Sequence, residues 1–361
     1  MNINNKLQKL TYILISIYII IYFLVTWKQF LYPLALGVLL SYLIYPITNF
    51  FEKKGFGKTI SIILSLALVI SIITVIIMFL IKRISFFIQD LPYFQKKIIE
   101  NLNHIEEVLQ KKFGFSQSLT DSLLNIRFLN LQNQFKQMFT ATTETIFAIL
   151  MQPVFVFIFL YYRKKFAIFF LKISGENNRP IIKNILNEIS TVVTRYMLGI
   201  TTVVLILFII HSISFTTFKL QYPILIGAFM AVFSFIPYFG TLIGGTIPIL
   251  FSVLIGNELT FTLKIFLYVY FINFFENNIL SPIIVGNNIR ISPFFIIIGL
   301  IFGAFLWGIP GMLVIIPFLA ILKTIFKHIP VLQPYAYILD KKDSLNLLTF
   351  LKKILKFFKN K

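Results

Sequence analysis

Few residues in this chain are equipped for chemistry, and the first to weigh is Glu276, set in Tyr270-Phe271-Ile272-Asn273-Phe274-Phe275-Glu276-Asn277-Asn278. A charged side chain at the middle of a bilayer costs about 2.5–3.5 kcal/mol on insertion scales, so such residues usually serve a pathway or find a partner. Glu276 lies near the end of its apolar run, which leaves two readings open: a place in a pathway, or a helix end that reaches the interface. Asn273 stands one helical turn before it and shares its face, so the two can form one polar site, with Asn277 adjoining. Arg290, in Gly286-Asn287-Asn288-Ile289-Arg290, is the candidate counter-charge. Its alternative is a positive anchor on the cytoplasmic side.

The second feature is a run of helix breakers in apolar sequence. From Phe233 to Leu250 the chain carries Ser234, Pro237, Tyr238, Gly240, Gly244, Gly245 and Pro248. Backbone freed from a helix in lipid must be satisfied inside protein or line a wet cavity. Broken helices of that kind are where transporters hold substrates and ions, which makes Pro237, Gly240, Gly244 and Gly245 pathway candidates beside Glu276. As one helix, Tyr222 to Ile255 would measure about 50 Å, at 1.5 Å per residue. The hydrocarbon core is about 30 Å thick, so this run must fold back on itself.

Other chemistry finds little support. The chain has no cysteine, and His104, His211 and His328 are too scattered to propose a zinc site. No catalytic motif and no cofactor motif is present, so no enzyme activity and no cofactor is expected. Gly55-Phe56-Gly57-Lys58-Thr59 ends like a phosphate-binding loop. That motif needs a glycine where Glu52 stands, and a strand before it, so the stretch reads as a cytoplasmic turn. His211, inside an apolar span, is either a titrating group or, more commonly, a histidine hydrogen-bonded between helices.

The elements that must position these residues are membrane helices. Of 361 residues 58% are hydrophobic and only 13% charged, against about 25% charged in ordinary soluble domains. The reading is an all-α polytopic membrane protein with about eight transmembrane helices, some broken or re-entrant. A small helical external domain is expected between spans three and four. By residue number, spans one to three occupy 1–82 and the external amphipathic domain 83–140. Span four follows at 141–162, a cytoplasmic amphipathic segment at 163–196, a C-terminal bundle with broken helices at 197–322 and a basic tail at 323–361. Lys6 and Lys9, Lys53, Lys54 and Lys58, and Arg163 to Lys165 mark alternate span ends, which places both termini in the cytoplasm. The first apolar stretch lacks a small-residue cleavage site and reads as an uncleaved span. Phe94, Ile98, Leu102, Ile105 and Leu109, then Phe128, Leu131, Phe135 and Met138, recur at helical spacing in the external segment. The net charge of +20 and the basic tail, with Leu345, Leu348, Leu351, Leu355 and Phe358 among lysines, suit anionic membrane lipid better than nucleic acid.

Several of these residues together resemble a known signature. Ser234-Phe235-Ile236-Pro237-Tyr238-Phe239-Gly240 with Gly244 and Pro248, and Glu276-Asn277-Asn278-Ile279-Leu280-Ser281-Pro282 with Ile284, Gly286, Ile291 and Pro293, are similar to the bacterial autoinducer-2 exporter (PerM-like permease) family. Gly303, Gly308, Gly311 and Pro317 fit it, as do Leu31-Tyr32-Pro33, Tyr42 and Pro46. Ser292 stands before Pro293 where members often carry histidine, so no proton role is expected there. The resemblance implies a multi-pass permease of the bacterial inner (plasma) membrane, a homo-oligomer with a pentamer as one candidate. It adds Pro282 and Gly286 to the expected pathway. It also implies export of a small polar solute such as the furanone autoinducer-2, with sodium or lithium exchange for protons as the alternative. A non-transporting membrane scaffold remains a third reading.

Overall fold

The computed structural model describes residues 3–113, 143–237, 239–285 and 290–341. The described residues are helical, with one isolated antiparallel bridge, Ile291 to Asp340, and no strand beyond it. In chain order the helices are α1 (Ile3–Thr26), α2 (Lys28–Lys53), α3 (Lys58–Phe113), α4 (Thr143–Ile173), α5 (Arg179–Thr217) and α6 (Pro223–Phe233). They continue with α7 (Phe239–Leu254), α8 (Leu259–Phe275), a wide turn at Glu276–Leu280 and α9 (Ser281–Ile284). The last are α10 (Pro293–Trp307), α11 (Ile309–His328) and, after a short 3₁₀ turn, α12 (Gln333–Leu339).

Among the described residues, five stretches are long and apolar enough to cross a membrane: Lys28–Lys53, Lys58–Asp90, Arg179–Thr217, Leu259–Ile284 and Ile309–His328. Shorter apolar helices include Pro223–Phe233, Ile243–Leu254 and Pro293–Trp307. Along α3 the residues Ile70, Ile72, Ile73, Val75, Ile76, Ile77 and Met78 are all exposed. Apolar surface on that scale is unsustainable in water and ordinary against lipid tails. The chain is therefore a multi-pass membrane protein.

The chain divides into two compact units. One comprises Leu40–Tyr161 and Met197–Gly286. In it Ile44, Ile62, Val156 and Leu160 form a core that knits α2, α3 and α4 together. Buried Thr48 and Ser65 return their hydroxyls to the carbonyls of Ile44 and Ser61, so both are satisfied within their own helices. A second core, with Phe215, Ile226, Met230, Ile265 and Val269, joins α5, α6 and α8.

The third span belongs to the long helix α3. Its 56 residues extend about 84 Å at 1.5 Å each, far beyond the ~30 Å hydrocarbon core. The third span and the first amphipathic stretch of the segment 83–140 are thus one continuous helix rather than separate elements. Its distal part is tied down within the same unit. Buried Phe94 meets Phe87, Tyr222 and Phe251 edge-on or stacked, Tyr222 hydroxyl donates to the Asp90 carboxylate, and Asn101 Nδ2 donates to Leu254 O at 3.2 Å. The second amphipathic stretch, Phe128 to Met138, and the tail helix from Leu345 lie outside the described residues.

The other unit comprises Met1–Leu39, Tyr162–Tyr196 and Asn287–Lys361. Here the run from Ser292 to Leu322 is broken at Gly308, whose φ of 65° and ψ of −140° turn α10 back along α11. A Cβ on Gly303 would sit 2.6 Å from the Gly311 carbonyl oxygen, and one on Gly311 would collide with the Gly303 carbonyl. The two helices therefore touch backbone to backbone, the approach that small residues permit in membranes. Trp307 Nε1 donates to Leu24 O at 3.0 Å and anchors α1 to α10.

Gly311→Ala is expected to lower the melting temperature of the detergent-solubilised protein, with a loss of roughly 1–3 kcal/mol typical of overpacking. Gly57→Ala is the control, because nothing lies within 4 Å of its would-be Cβ. Equal melting of both variants would show that the hairpin contact is not stabilising.

Candidate functional site

The break predicted between Phe233 and Gly240 is present: α6 ends at Phe233 and α7 begins at Phe239. With 11 residues, α6 extends about 17 Å, too short to cross the core, so α6 and α7 form a hairpin that turns within the apolar region. Its main chain is closed by tight local bonds. Phe235 N–H donates to Val232 O at 3.2 Å, Ile236 N–H to Phe233 O at 2.9 Å and Gly240 N–H to Ile236 O at 2.7 Å. Ser234 is buried and returns its hydroxyl to Met230 O. Pro237, half-buried, sits in this turn, where its missing N–H leaves no donor to satisfy.

Three glycines set how closely the neighbours approach. A Cβ on Gly240 would strike the Phe233 carbonyl, and one on Gly244 would lie 3.3 Å from Met230 Cα and O. Gly245 faces the opposite way, 2.8 Å from Val269 Cγ1 and 3.4 Å from Asn273 Nδ2 of α8. Consecutive glycines thus let α7 lie tightly against α6 on one side and α8 on the other. The half-buried Asn273 amide reaches α7 because Gly245 carries no side chain.

Beyond Asn273, α8 does not end at Phe275. It passes through the wide turn Glu276–Leu280, where Ser281 N–H donates to Glu276 O five residues back, and then into α9. A turn of this kind inserts one extra residue into a helix and recurs at functional sites. Its cause is local. Pro282 cannot donate to a carbonyl one turn earlier, and two asparagine amides serve displaced carbonyls instead. Asn277 Nδ2 donates to Asn273 O at 2.9 Å and Asn278 Nδ2 to Phe274 O at 2.8 Å.

Glu276 opens this turn and is only 6% exposed, the one charged side chain that is buried among the described residues. The stretch Leu259–Ile284, long and apolar enough to cross a membrane, contains Glu276. Neither Glu276 nor Arg290 has an oppositely charged partner among the described residues. Phe275, Leu280 and Ile284 on one side of the turn, and Phe235 of the hairpin break, all pack on one cluster of Val203, Val204, Leu207, Ala231 and Ile272. Through this cluster the structure brings the break at Pro237 and the turn at Glu276 against the same stretch of α5. Asn277 and Pro282 are exposed, Arg290 belongs to the other unit, and Gly286 lies outside the described residues.

Two contributors escaped the sequence reading. Gly199 of α5 is buried, and a Cβ there would lie 2.9 Å from Val285 Cα and 3.3 Å from Ile284 O. A lone glycine in Met197-Leu198-Gly199-Ile200 was the only signal. The other is Tyr268, whose hydroxyl lies 2.8 Å from Nδ1 of buried His211, while Phe215 stacks on the imidazole. His211 is therefore a histidine hydrogen-bonded between helices. Among the described residues no group of three histidine, aspartate or glutamate side chains is arranged to hold a metal.

Comparison with known proteins adds an independent finding. A family model described as AI-2E family transporter matches residues 12–331. "Putative transport protein YrrI" of Bacillus subtilis (strain 168) is 26% identical over 343 residues, 88% of this chain and 93% of the relative. A "Putative transport protein" of Borreliella burgdorferi is 25% identical over 320 residues, 87% of this chain and 85% of the relative. "Putative transport protein YueF" of Bacillus subtilis (strain 168) is 24% identical, covering 85% and 86%.

Tyr268→Phe is expected to destabilise the protein by roughly 0.6–1.7 kcal/mol, the range of hydrogen bonds measured in membranes. His211→Phe in the Tyr268→Phe background should then cost less than His211→Phe alone. Unfolding in a detergent series measures both, and strict additivity would dissolve the pair.

Proposed function

We propose that this chain, which belongs to the AI-2E transporter family, exports a small polar solute of the autoinducer-2 kind past Glu276. Transport itself is the shared property of the family and of the relatives' names; the solute, the direction and the route are this proposal. One observation carries it: a carboxylate, 6% exposed, in a wide turn of a membrane-crossing helix, with no counter-charge among the described residues. Such a group requires a proton, a cation or a hydrogen-bonding solute for company. Asn273 and the turn's amides supply donors and acceptors beside it, and the turn at Pro237 rests on the same α5 cluster. The chain is read as a carrier without enzymatic activity, working in the bacterial inner membrane with both termini inside. Assembly as a homo-oligomer, a pentamer in the family pattern, belongs to the same reading.

The isolation of Glu276 favours one second reading, sodium or lithium exchange for protons, in which a single carboxylate binds either ion in turn. Vesicles separate the two. A pH change on adding sodium or lithium supports exchange, whereas solute flux without it supports the exporter.

In proteoliposomes of purified protein, Glu276→Gln is expected to reduce solute flux at least tenfold while insertion and melting temperature stay near those of the parent. Tenfold corresponds to about 1.4 kcal/mol in the barrier. Undiminished flux through a folded Glu276→Gln protein removes Glu276 from the route.

A further inference from the structure

The membrane-crossing stretch that begins α3 ends at Asp90, but the helix continues to Phe113. Around and beyond Asp90 it lies against the α6–α7 hairpin, at the end remote from the Pro237 turn. Phe87, Asp90, Phe94 and Asn101 stand at i, i+3, i+7 and i+14, on one stripe of the helix. That stripe reaches both feet of the hairpin. At the foot of α6, the Tyr222 hydroxyl donates to the Asp90 carboxylate. The Tyr222 ring meets Phe87 and Phe94 edge-on, with centroids 5.2 and 5.8 Å apart. At the foot of α7, the Phe251 ring lies 5.6 Å from Phe94, and the Asn101 amide donates to Leu254 O at 3.2 Å. Asn101 also covers Gly256, where a Cβ would strike its amide.

Two features make this contact releasable. The one proline inside α3, Pro92, stands between Asp90 and Phe94. Proline gives no N–H to the carbonyl four residues back, so a helix bends most readily there. The other feature is backbone strain. Lys219 and Tyr222, in the loop from α5 to α6, have φ of 60° and 54°, the two positive values outside glycine among the described residues. Residues with a Cβ rarely adopt that conformation, and it persists only where the surroundings enforce it. Tyr222 caps α6 and accepts from Ile226 N–H at 3.0 Å, so its dihedral angles set the direction in which α6 departs. Its hydroxyl and ring contacts just described all come from α3.

We propose that this part of α3 is a releasable clasp on the hairpin. Closed, it ties the feet of α6 and α7 to one rigid stripe. Bending at Pro92 withdraws Phe94 and Asn101, loosens the hold on Tyr222 and lets α6 and α7 part toward the Pro237 turn. Hinges of this kind gate many membrane and soluble sites by small changes at a few residues. As a gate on the route past Glu276 the clasp rests on the transport reading above, whereas its opening does not.

The chain has no cysteine, so introduced thiols are the only ones. Spin labels at Lys96→Cys on the clasp and Glu258→Cys just past α7, both exposed in the parent, report their separation by double electron–electron resonance in nanodiscs. Two distances are expected. The ratio of the longer to the shorter should rise roughly fivefold in Asn101→Ala, as loss of one ordinary hydrogen bond implies. A single distance, unmoved by Asn101→Ala, overturns the clasp. A disulfide between Asn101→Cys and Gly256→Cys then locks it. Gly256 has φ of 73°, so the reduced pair, which carries the same strain, is the reference. In proteoliposomes, autoinducer-2 flux and the sodium-driven pH change are followed before and after dithiothreitol. Roughly tenfold slower transport when oxidised, restored on reduction, is expected in whichever assay the parent responds to. Equal transport in both states overturns the gating role and leaves the route intact. A parent that moves neither probe counts against the transport reading, and the spin-label distances alone then decide the clasp.

Discussion

No peptide N–H or C=O can be left bare in hydrocarbon, where water is absent and each unsatisfied group costs several kcal/mol. Three irregular segments among the described residues are shaped by that constraint. The turn between α6 and α7 closes its own amides on carbonyls three or four residues earlier. The wide turn after α8 replaces lost ladder bonds with side-chain amides of Asn277 and Asn278. At Gly308 the chain reverses through a conformation suited to glycine, and Gly308 N–H still reaches Ala304 O. In these three turns the partners lie within a few residues of the groups they satisfy.

The same economy governs the close contacts. Because lipid tails are as apolar as leucine, helices in a membrane gain by packing area rather than by escaping water. Gly199, Gly244, Gly245, Gly303 and Gly311 each stand where a methyl group would meet a neighbouring helix. Gly245, by yielding space, admits the Asn273 amide, one turn before Glu276, to the surface of α7. Packing and polarity are thus arranged by the same residue.

Charge follows a complementary rule. Among the described residues Glu176, Glu188 and Asp340, all partly or largely exposed, pair with basic side chains. Glu276 is the one buried carboxylate residue without such a partner among the described residues. Membership of the AI-2E transporter family supplies the setting for the role proposed for Glu276.

Much of the architecture was legible in the sequence, because composition and run length are read directly by the bilayer. The membrane helices, the fold-back of Tyr222 to Ile255 and the break beside Pro237 follow from apolar length and from breakers at fixed positions. Glu276 was visible as an ion in an oily stretch, with Asn273 beside it. What remained hidden depends on contacts between distant residues. That α3 runs unbroken from Lys58 to Phe113, that Gly199 meets Val285, that Tyr268 bonds His211, and that Arg290 lies in a cleft with Lys323 are matters of tertiary placement. The wide turn at Glu276 lay between: its asparagines and proline are local, but nothing in their spacing told whether the helix would stop or widen. Patterning along one chain decides which segments enter the membrane, since solvation acts on each segment separately; which side chains then meet is decided by packing among segments, which no single stretch encodes.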